Sequence, residues 1–266
     1  MRYFETIRSA VERSIHGLFA AAAVMSLAVS AAGSEKSACD IRFETLSLEQ
    51  GLSQSSVLAI VQDPAGFMWF ATEDGLNRYD GYDFIVLRHE PDDLNSLSHT
   101  YILSLCVDSE GYIWAGTFNE GLDRYDPRTG KFEHYRIDPN DKTSLSNNVV
   151  RVIYEDRGKT IWVGTEDGLN RFDAGSGTFT RFPGDPGDPS SLSHGFIRAI
   201  CEDSYGTLWI GTDGGGLCAM DRESGKFRRY RHDPGDPGSI GSDAVRAILE
   251  DSRRTLWIGT TGGGLN

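Results

Sequence analysis

Three successive segments of the chain carry an arginine at the same position, eleven residues before a tryptophan: Arg151, Arg198 and Arg246. A guanidinium group presents its donors in a planar fork that matches carboxylates, phosphates and neighbouring hydroxyls. If the fold brings the three together, they favour an anionic or polyhydroxylated ligand. The alternative is that each arginine pairs with an acidic residue of its own segment. These neighbours are Glu155, Glu202 and Glu250.

A second set of candidates lies at the tips of the longest loops, shortly before the arginine position. One tip position is occupied by Gln54, His99, Asn147, His194 and Ser242, and the next by Ser55, Thr100, Asn148, Gly195 and Asp243. Loop tips that differ between copies can recognise a ligand, whereas packing does not require such diversity. We select His99, Asn147, His194 and Asp243 as ligand contacts. The alternative is that they are solvated turn residues.

Other chemistry is not expected from the sequence. His99 and His194 lie two segments apart, which disfavours a shared metal. The loops DPNDKTS and DPGDPSS lack the ligand spacing of a calcium-binding EF-hand. There is no Ser-His-Asp order and no nucleophile elbow. We therefore predict no catalytic residue, no metal site and no cofactor.

The elements that must position these residues follow from an internal repeat. Near-copies of one segment surround the five tryptophans, which are spaced 45, 48, 47 and 48 residues apart: Trp69, Trp114, Trp162, Trp209 and Trp257. Each copy contains four short strand-like pieces separated by glycine-rich and Asp-Pro turns. A period of this length with four strands is typical of a propeller blade. We predict an all-β fold, a β-propeller of four-stranded antiparallel blades with about five blades.

The ends of the repeat region indicate an incomplete array. The segment IRFETLSLEQGLS aligns with a fourth strand and the loop that follows it, and GGGLN stops partway through a third strand. In a closed ring the first strand would complete the last blade. We favour an incomplete array that continues with more blades in a longer parent protein, with a closed five-blade ring as the alternative. The predicted propeller covers residues 41–266.

Each copy also predicts one tight turn between its first two strands. An aspartate lies six residues before every tryptophan and can hydrogen-bond the turn backbone. Glycine supplies the positive φ that such turns need. The expected glycines are Gly66, Gly111, Gly158 and Gly206. The fifth copy has Arg253 and Arg254 there, so we expect a less regular turn.

The N-terminus and the charge restrict location and partners. Arginines precede an apolar run at Leu18–Ala32 that ends in small residues, as in a secretory signal peptide. We predict a signal peptide at 1–32, with an uncleaved anchor as the alternative, a linker at 33–40, and an exported protein in the periplasm or on the extracellular face. The net charge of −13 disfavours nucleic acid. The repeat places Cys106 and Cys201 at one apolar position, so we expect no disulfide.

The segment GLSQSSVLAIVQDPAGFMWFATEDGLNRYD at Gly51–Asp80, with its four further copies, resembles the two-component regulator propeller repeat. The resemblance covers residues 41–266. It implies the extracytoplasmic sensor region of a hybrid two-component kinase or a related receptor. No residue here matches a kinase motif, so any kinase or cyclase activity would belong to an output domain that this chain lacks.

Three classes of function remain in view. The favoured one is a ligand-sensing module that binds a small molecule or a glycan and is not itself an enzyme. Its expected protein partner is a membrane signalling protein or a second copy of the chain. The alternatives are a propeller enzyme that acts on polysaccharide, either a lyase or a glycosidase, and a protein-interaction scaffold.

Overall fold

The computed structural model describes residues 42–266, so the predicted signal peptide and linker lie outside the described residues. Residues Leu46–Asn266 form one compact unit. It begins with a short 3-10 helix, Leu48–Gln50, whose first turn is capped by Ser47. All remaining elements are strands, which we number β1 to β19 in chain order.

The strands form five consecutive antiparallel sheets, each in simple chain order. The first blade contains β1 (Val57–Gln62), β2 (Met68–Thr72), β3 (Gly75–Tyr79) and β4 (Phe84–Leu87), and the second contains β5 (Ile102–Val107), β6 (Ile113–Thr117), β7 (Leu122–Asp126) and β8 (Lys131–Tyr135). The third contains β9 (Val150–Glu155), β10 (Ile161–Thr165), β11 (Gly168–Asp173) and β12 (Thr178–Phe182). The fourth contains β13 (Ile197–Glu202), β14 (Leu208–Thr212), β15 (Leu217–Met220) and β16 (Phe227–Tyr230), and the fifth contains β17 (Val245–Glu250), β18 (Leu256–Thr260) and β19 (Gly264–Leu265). The predicted β-propeller fold with five blades is confirmed.

The fifth blade has three strands, and its third strand is two residues long. The prediction of an isolated fourth strand at the start of the chain is wrong, because residues 42–47 adopt no strand. The backbone at the end of this segment instead closes the 3-10 turn, because the Gln50 and Leu52 N–H groups donate to Ser47 O.

The core lies between successive blades and centres on the second strands. All five residues of β6 and of β10 are buried, whereas the fourth strands are mostly half-buried or exposed, with Phe179 and Phe227 as their buried residues. Each hydrophobic cluster combines the tryptophan strand of one blade with the loop and first strand of the next. The first strands of neighbouring blades also pack against one another, which makes them the innermost strands.

The aspartate of each turn accepts two kinds of hydrogen bond, and the sequence predicted only one of them. One carboxylate oxygen accepts a hydrogen bond from the backbone N–H four residues later, as predicted. The other accepts one from the tryptophan indole Nε1 at 2.7–2.9 Å in all five blades. The constant spacing of six residues therefore fixes the turn and the core tryptophan together.

Two expectations about these turns are wrong. In the third blade the positive φ belongs to Lys159 (φ 62°), and Gly158 lies one position too early. In the fifth blade Arg254 adopts φ 64° and donates its backbone N–H to Asp251, so this turn has the same form as the others. The aspartate bonds hold the backbone in this geometry even where a side chain disfavours it.

Two further observations concern the residues described by the structure. Cys106, Cys201 and Cys218 are free thiols, and burial raises the pKa of Cys106 to about 11. In residues 42–266 the structure contains no helix with the length and apolar character needed to cross a bilayer.

Candidate functional site

The candidate residues share one end of the blades, which we call the upper side. It carries the inter-blade loops and the hairpins between second and third strands. Backbone hydrogen bonds join these two kinds of loop across each interface, from Gly75 to Thr100, Gly121 to Asn148, Gly168 to Gly195 and Gly216 to Asp243. The two kinds of loop therefore lie side by side at this end of the blades. We call the opposite end, with the Asp–Trp turns, the turn side.

The three predicted arginines lie at the upper ends of the innermost strands of blades three, four and five. Arg151 donates to the Glu166 carboxylate through Nε at 2.9 Å and also through Nη2. Arg198 donates to Asp213 through Nε (3.1 Å) and Nη2 (2.8 Å). Arg246 donates through Nε to Thr261 Oγ1 at 2.7 Å, and its Nη2 lies 3.4 Å from Asp213.

The alternative of ion pairing within one segment is thus correct for Arg151 and Arg198, but the named partners Glu155, Glu202 and Glu250 are wrong. The acidic partners come from the hairpins fifteen residues after the arginines. The glutamates of the first strands instead accept backbone N–H groups from the turn of the preceding blade. These contacts join Glu155 to Ser109, Glu202 to Arg157 and Glu250 to Ser204. These glutamates therefore take no part in the pairing of the arginines.

Phe196 links two of the arginines into one group. The Arg198 guanidinium carbon lies 4.2 Å from the centre of the Phe196 ring, and that of Arg151 lies 5.4 Å from it. Both distances are in the range of a cation–π contact. Asp213 then connects Arg198 to Arg246. We call these residues, with Glu166 and Thr261, the arginine cluster.

The arginine cluster has more positive than negative charge. It contains three guanidinium groups and two carboxylates. Burial raises the pKa of Asp213, but the hydrogen bond from Arg198 and the charges of Arg198 and Arg246 outweigh it, so this pKa lies below its ordinary value. Within the described residues, none of the three Nη1 groups donates a hydrogen bond to the chain. Donors and half-exposed charge are thus available to a ligand.

The second blade has aromatic rings at the corresponding positions. Tyr101 and Phe118 stack with ring centres 5.1 Å apart and ring planes 15° apart. Phe118 occupies the hairpin position of Glu166 and Asp213, and 42% of its surface is exposed. At the arginine position the first two blades carry Leu58 and Leu103, and at the hairpin position they carry Glu73 and Phe118, so the arginines are confined to the last three blades.

The predicted tip residues have structural hydrogen bonds. His99 Nδ1 accepts from the Tyr101 N–H at 2.9 Å, and His194 Nδ1 accepts from the Phe196 N–H at 3.1 Å. Asn147 accepts from the Val149 N–H, and Asp243 accepts from the His232 N–H. These bonds fix the loop tips next to the first strands, and the two histidines hold the aromatic residues Tyr101 and Phe196. The role of the four residues in ligand binding stays a prediction.

Sequence reasoning missed Phe196, Tyr101 and the acidic hairpin positions. Phe196 and Tyr101 lie thirteen residues before a tryptophan, where other copies have Ser56, Val149 and Ala244. A search for positions that change chemical class between copies would have found them. Within residues 42–266, no group of three or more His, Cys, Asp or Glu residues could hold a metal ion.

Comparison with known proteins agrees with this architecture. The family described as "Two component regulator propeller" matches residues 51–74, 96–119, 144–167, 191–214 and 239–262. Each match runs from an inter-blade loop through the first two strands of a blade. A curated relative, histidine kinase P4 of Formosa agariphila, is 46% identical over 56 residues, or 21% of this chain.

Among solved structures, the extracellular domain of a putative hybrid two-component system from B. thetaiotaomicron is similar over 84% of this chain, with 26% identity and a TM-score of 0.54. A virginiamycin B lyase from Staphylococcus aureus shares the fold, with 16% identity, a TM-score of 0.59 and 86% coverage of this chain and 74% of the lyase.

This chain spans 41% of the B. thetaiotaomicron domain, and the match to the Formosa kinase spans 4% of that protein. Each of the five matched segments lies in a different blade and includes its Asp–Trp turn. The chain belongs to the two-component regulator propeller repeat family and is similar to the extracellular domain of a hybrid two-component system.

Proposed function

We propose that this chain is a ligand-sensing extracytoplasmic propeller of a bacterial two-component type receptor. The arginine cluster, next to the aromatic pair of the second blade, is the observation that supports the proposal. Its guanidinium groups suit carboxylate or hydroxyl groups, and the exposed face of Phe118 offers apolar contact. A small acidic molecule or an acidic glycan combines these features. On ligand binding, the propeller would transmit a signal to an output domain outside residues 42–266.

The two carboxylates of the arginine cluster favour sensing over catalysis. A glycosidase needs one carboxyl group that holds a proton near neutral pH. The pKa of Asp213 is lowered rather than raised, because Arg198 hydrogen-bonds its charged form. The Glu166 carboxylate accepts hydrogen bonds from both Nε and Nη2 of Arg151. We therefore propose that the site binds its ligand without converting it.

The test compares Arg198→Ala with Arg228→Ala, an exposed arginine of the outer strand β16. Both variants remove one positive charge, but only the first alters the arginine cluster. We expect acidic oligosaccharides to raise the melting temperature of the wild type and of Arg228→Ala, and to have no effect on Arg198→Ala. The unliganded melting temperature should change little in either, because the Arg198 ion pair is partly exposed.

Two results would contradict the proposal. If Arg198→Ala binds oligosaccharides as the wild type does, the cluster is not the binding site. If the wild type cleaves members of the same panel, the protein is an enzyme. Binding should be measured by calorimetry and turnover by the release of new chain ends.

A further inference from the structure

The loop that enters the third blade is closed by an arginine from the fourth strand of that blade. Arg181 donates through Nε to Ser144 O at 2.7 Å, and through Nη2 to Asp141 O at 2.8 Å and to the Ser144 hydroxyl. We call these three acceptors, two backbone carbonyls and one serine hydroxyl, the carbonyl cradle. Because carbonyl oxygens only accept hydrogen bonds, the carbonyl cradle favours a group that carries several donors in one plane.

The fourth blade repeats this arrangement. Arg229 donates through Nε to Ser191 O at 3.0 Å, and through Nη2 to Asp188 O and to the Ser191 hydroxyl. Two loops of one chain therefore bind a guanidinium group with the same three acceptors.

The second blade has a histidine in place of this arginine. His134 pairs with the third strand of its blade as Arg181 and Arg229 do in theirs. Its side chain is shorter than that of arginine, and its Nε2 donates to Leu94 O at 3.1 Å. The carbonyl cradle of this loop consists of Ser96 O, the Ser96 hydroxyl and Asp93 O. Within residues 42–266, no side chain of a fourth strand donates to any of these acceptors, and Ser96 O accepts no hydrogen bond.

The loop itself has the same internal bonds as the loops that bind arginine. The Ser96 N–H donates to Asp93 O at 3.1 Å, and the equivalent bonds from Ser144 and Ser191 measure 3.2 and 3.1 Å. The Ser96 hydroxyl donates to Asp93 O and Glu90 O, as the Ser144 hydroxyl does to the equivalent carbonyls of its own loop. The three acceptors are therefore held in the same way, next to a space that no arginine fills.

This space is a cavity of about 450 Å³. The side chains of Glu90 and Asp93 line it with carboxylates, and Leu94, which is 92% exposed, adds an apolar surface. Ser98 also lines the cavity, and its buried hydroxyl has no hydrogen-bond partner within the described part of the chain. The cavity thus combines acceptors, negative charge and an apolar edge.

Two positive groups that line the cavity are already paired. Arg136 Nε lies 3.3 Å from the Glu120 carboxylate, and His134 Nδ1 lies 2.7 Å from the Asp123 carboxylate. The two lining carboxylates form no ion pair within residues 42–266. A cation in the cavity therefore meets more negative than positive charge.

We propose that the carbonyl cradle of the second blade binds the guanidinium group of a ligand. This group takes the place of the arginine that the third and fourth blades supply from their own strands. It donates to Ser96 O, the Ser96 hydroxyl and Asp93 O, and the alkyl chain that carries it lies against Leu94. The site is formed by the outermost strand of the blade and the loop before it. The arginine cluster lies on innermost strands and takes groups of the opposite charge.

The first test fills the cradle from within the chain. His134→Arg supplies the guanidinium group, and Thr180→Arg adds the same charge at an exposed position of the outer strand β12. We expect ethylguanidinium chloride to shift the backbone amide NMR signals of residues 90–98 in the full-length wild type and in Thr180→Arg. Binding to His134→Arg should be weaker by roughly tenfold or more, because the charged hydrogen bonds are lost.

Tetramethylammonium chloride is the control probe, because it carries the same charge without N–H donors. It should leave these signals unchanged. Equal binding of ethylguanidinium to all three proteins, or equal shifts with the two salts, would overturn the proposal.

The reverse test opens a cradle that is filled. Arg181→Gly removes the guanidinium group from the third blade and should lower the melting temperature, because the loop loses charged hydrogen bonds. Ethylguanidinium should restore part of this loss, and tetramethylammonium should not. This measurement does not depend on the folding of His134→Arg. Without such rescue, a free guanidinium group cannot occupy the cradle, and the proposal is wrong.

Two further probes distinguish the sources of the guanidinium group. Free arginine represents a small-molecule ligand, and the peptide acetyl-Gly-Arg-Gly-amide represents an arginine of a protein partner. Displacement of either probe by ethylguanidinium at the second-blade loop supports the proposal, and the tighter probe identifies the source. If neither probe binds there, the proposal is overturned.

Discussion

The turn side and the upper side differ in how many of their residues recur from blade to blade. On the turn side, aspartate, tryptophan and the hydrogen bonds between them recur in all five blades. On the upper side, equivalent positions hold leucine, aromatic, arginine or acidic residues. The turn side fixes the sheet and its core. The upper side, anchored by backbone hydrogen bonds between loops, can change its side chains without changing the fold.

The largest effect should come from the turn side. In Asp108→Ala, the Trp114 indole N–H and two turn N–H groups lose their acceptor. Since Trp114 is 1% exposed, water cannot replace the carboxylate. Unpaired buried donors of this kind cost about 3 kcal/mol in the free energy of unfolding, which urea denaturation can measure.

The matched control is Asp251→Ala in the fifth blade. It removes the same bonds from Trp257, which is partly exposed. Water can satisfy that indole, so the loss should be about 1 kcal/mol. Equal losses in the two variants would show that the turn bonds, rather than burial of the tryptophan, determine the stability of a blade.

The repeat alone was sufficient to predict four antiparallel strands in each complete blade and the position of the loops. It failed where two positions distant in sequence act together. The pairing of Arg198 with Asp213 depends on the register of β13 against β14, which the tryptophan alignment does not include. The positive φ of Lys159 was missed because a glycine stood next to it. Phe196 was missed because only two of the five copies have an aromatic residue at its position, and the alignment favours residues that recur in every copy.

An effect of intermediate size is expected on the upper side, where the second blade carries a buried ion pair. His134 Nδ1 lies 2.7 Å from the fully buried Asp123 carboxylate, which also accepts the Ser98 N–H. The third blade has Asn170 and Arg181 at these positions. The hydrogen bond to Asp123 raises the pKa of His134 above 6.5, despite the opposing effect of burial. A raised pKa means that the folded state binds the proton more tightly than the unfolded chain.

This contribution to stability should therefore be fully present below about pH 6.5 and should be lost as the pH rises through the folded-state pKa. The test compares the wild type with His134→Gln, so that the titration of other groups cancels. The difference between their free energies of unfolding should shrink from pH 6 to pH 8. A constant difference would mean that His134 acts only as a neutral hydrogen-bonding group.

The smallest effect on stability is expected from substitutions at the positive-φ position of the turns. Lys159 and Arg254 adopt positive φ where three other blades have glycine. Left-handed backbone costs a side-chain residue about 1 kcal/mol, and the greater freedom of glycine in the unfolded chain offsets part of that gain. Lys159→Gly should therefore stabilise the protein by about 0.5 kcal/mol.

The reverse change is Gly111→Ala, at φ 87°. The added methyl group meets no atom within 4 Å, so it should destabilise the protein through backbone strain alone. Urea denaturation of both variants should give shifts of opposite sign, and shifts of the same sign would show that the turn is held by contacts other than its backbone geometry.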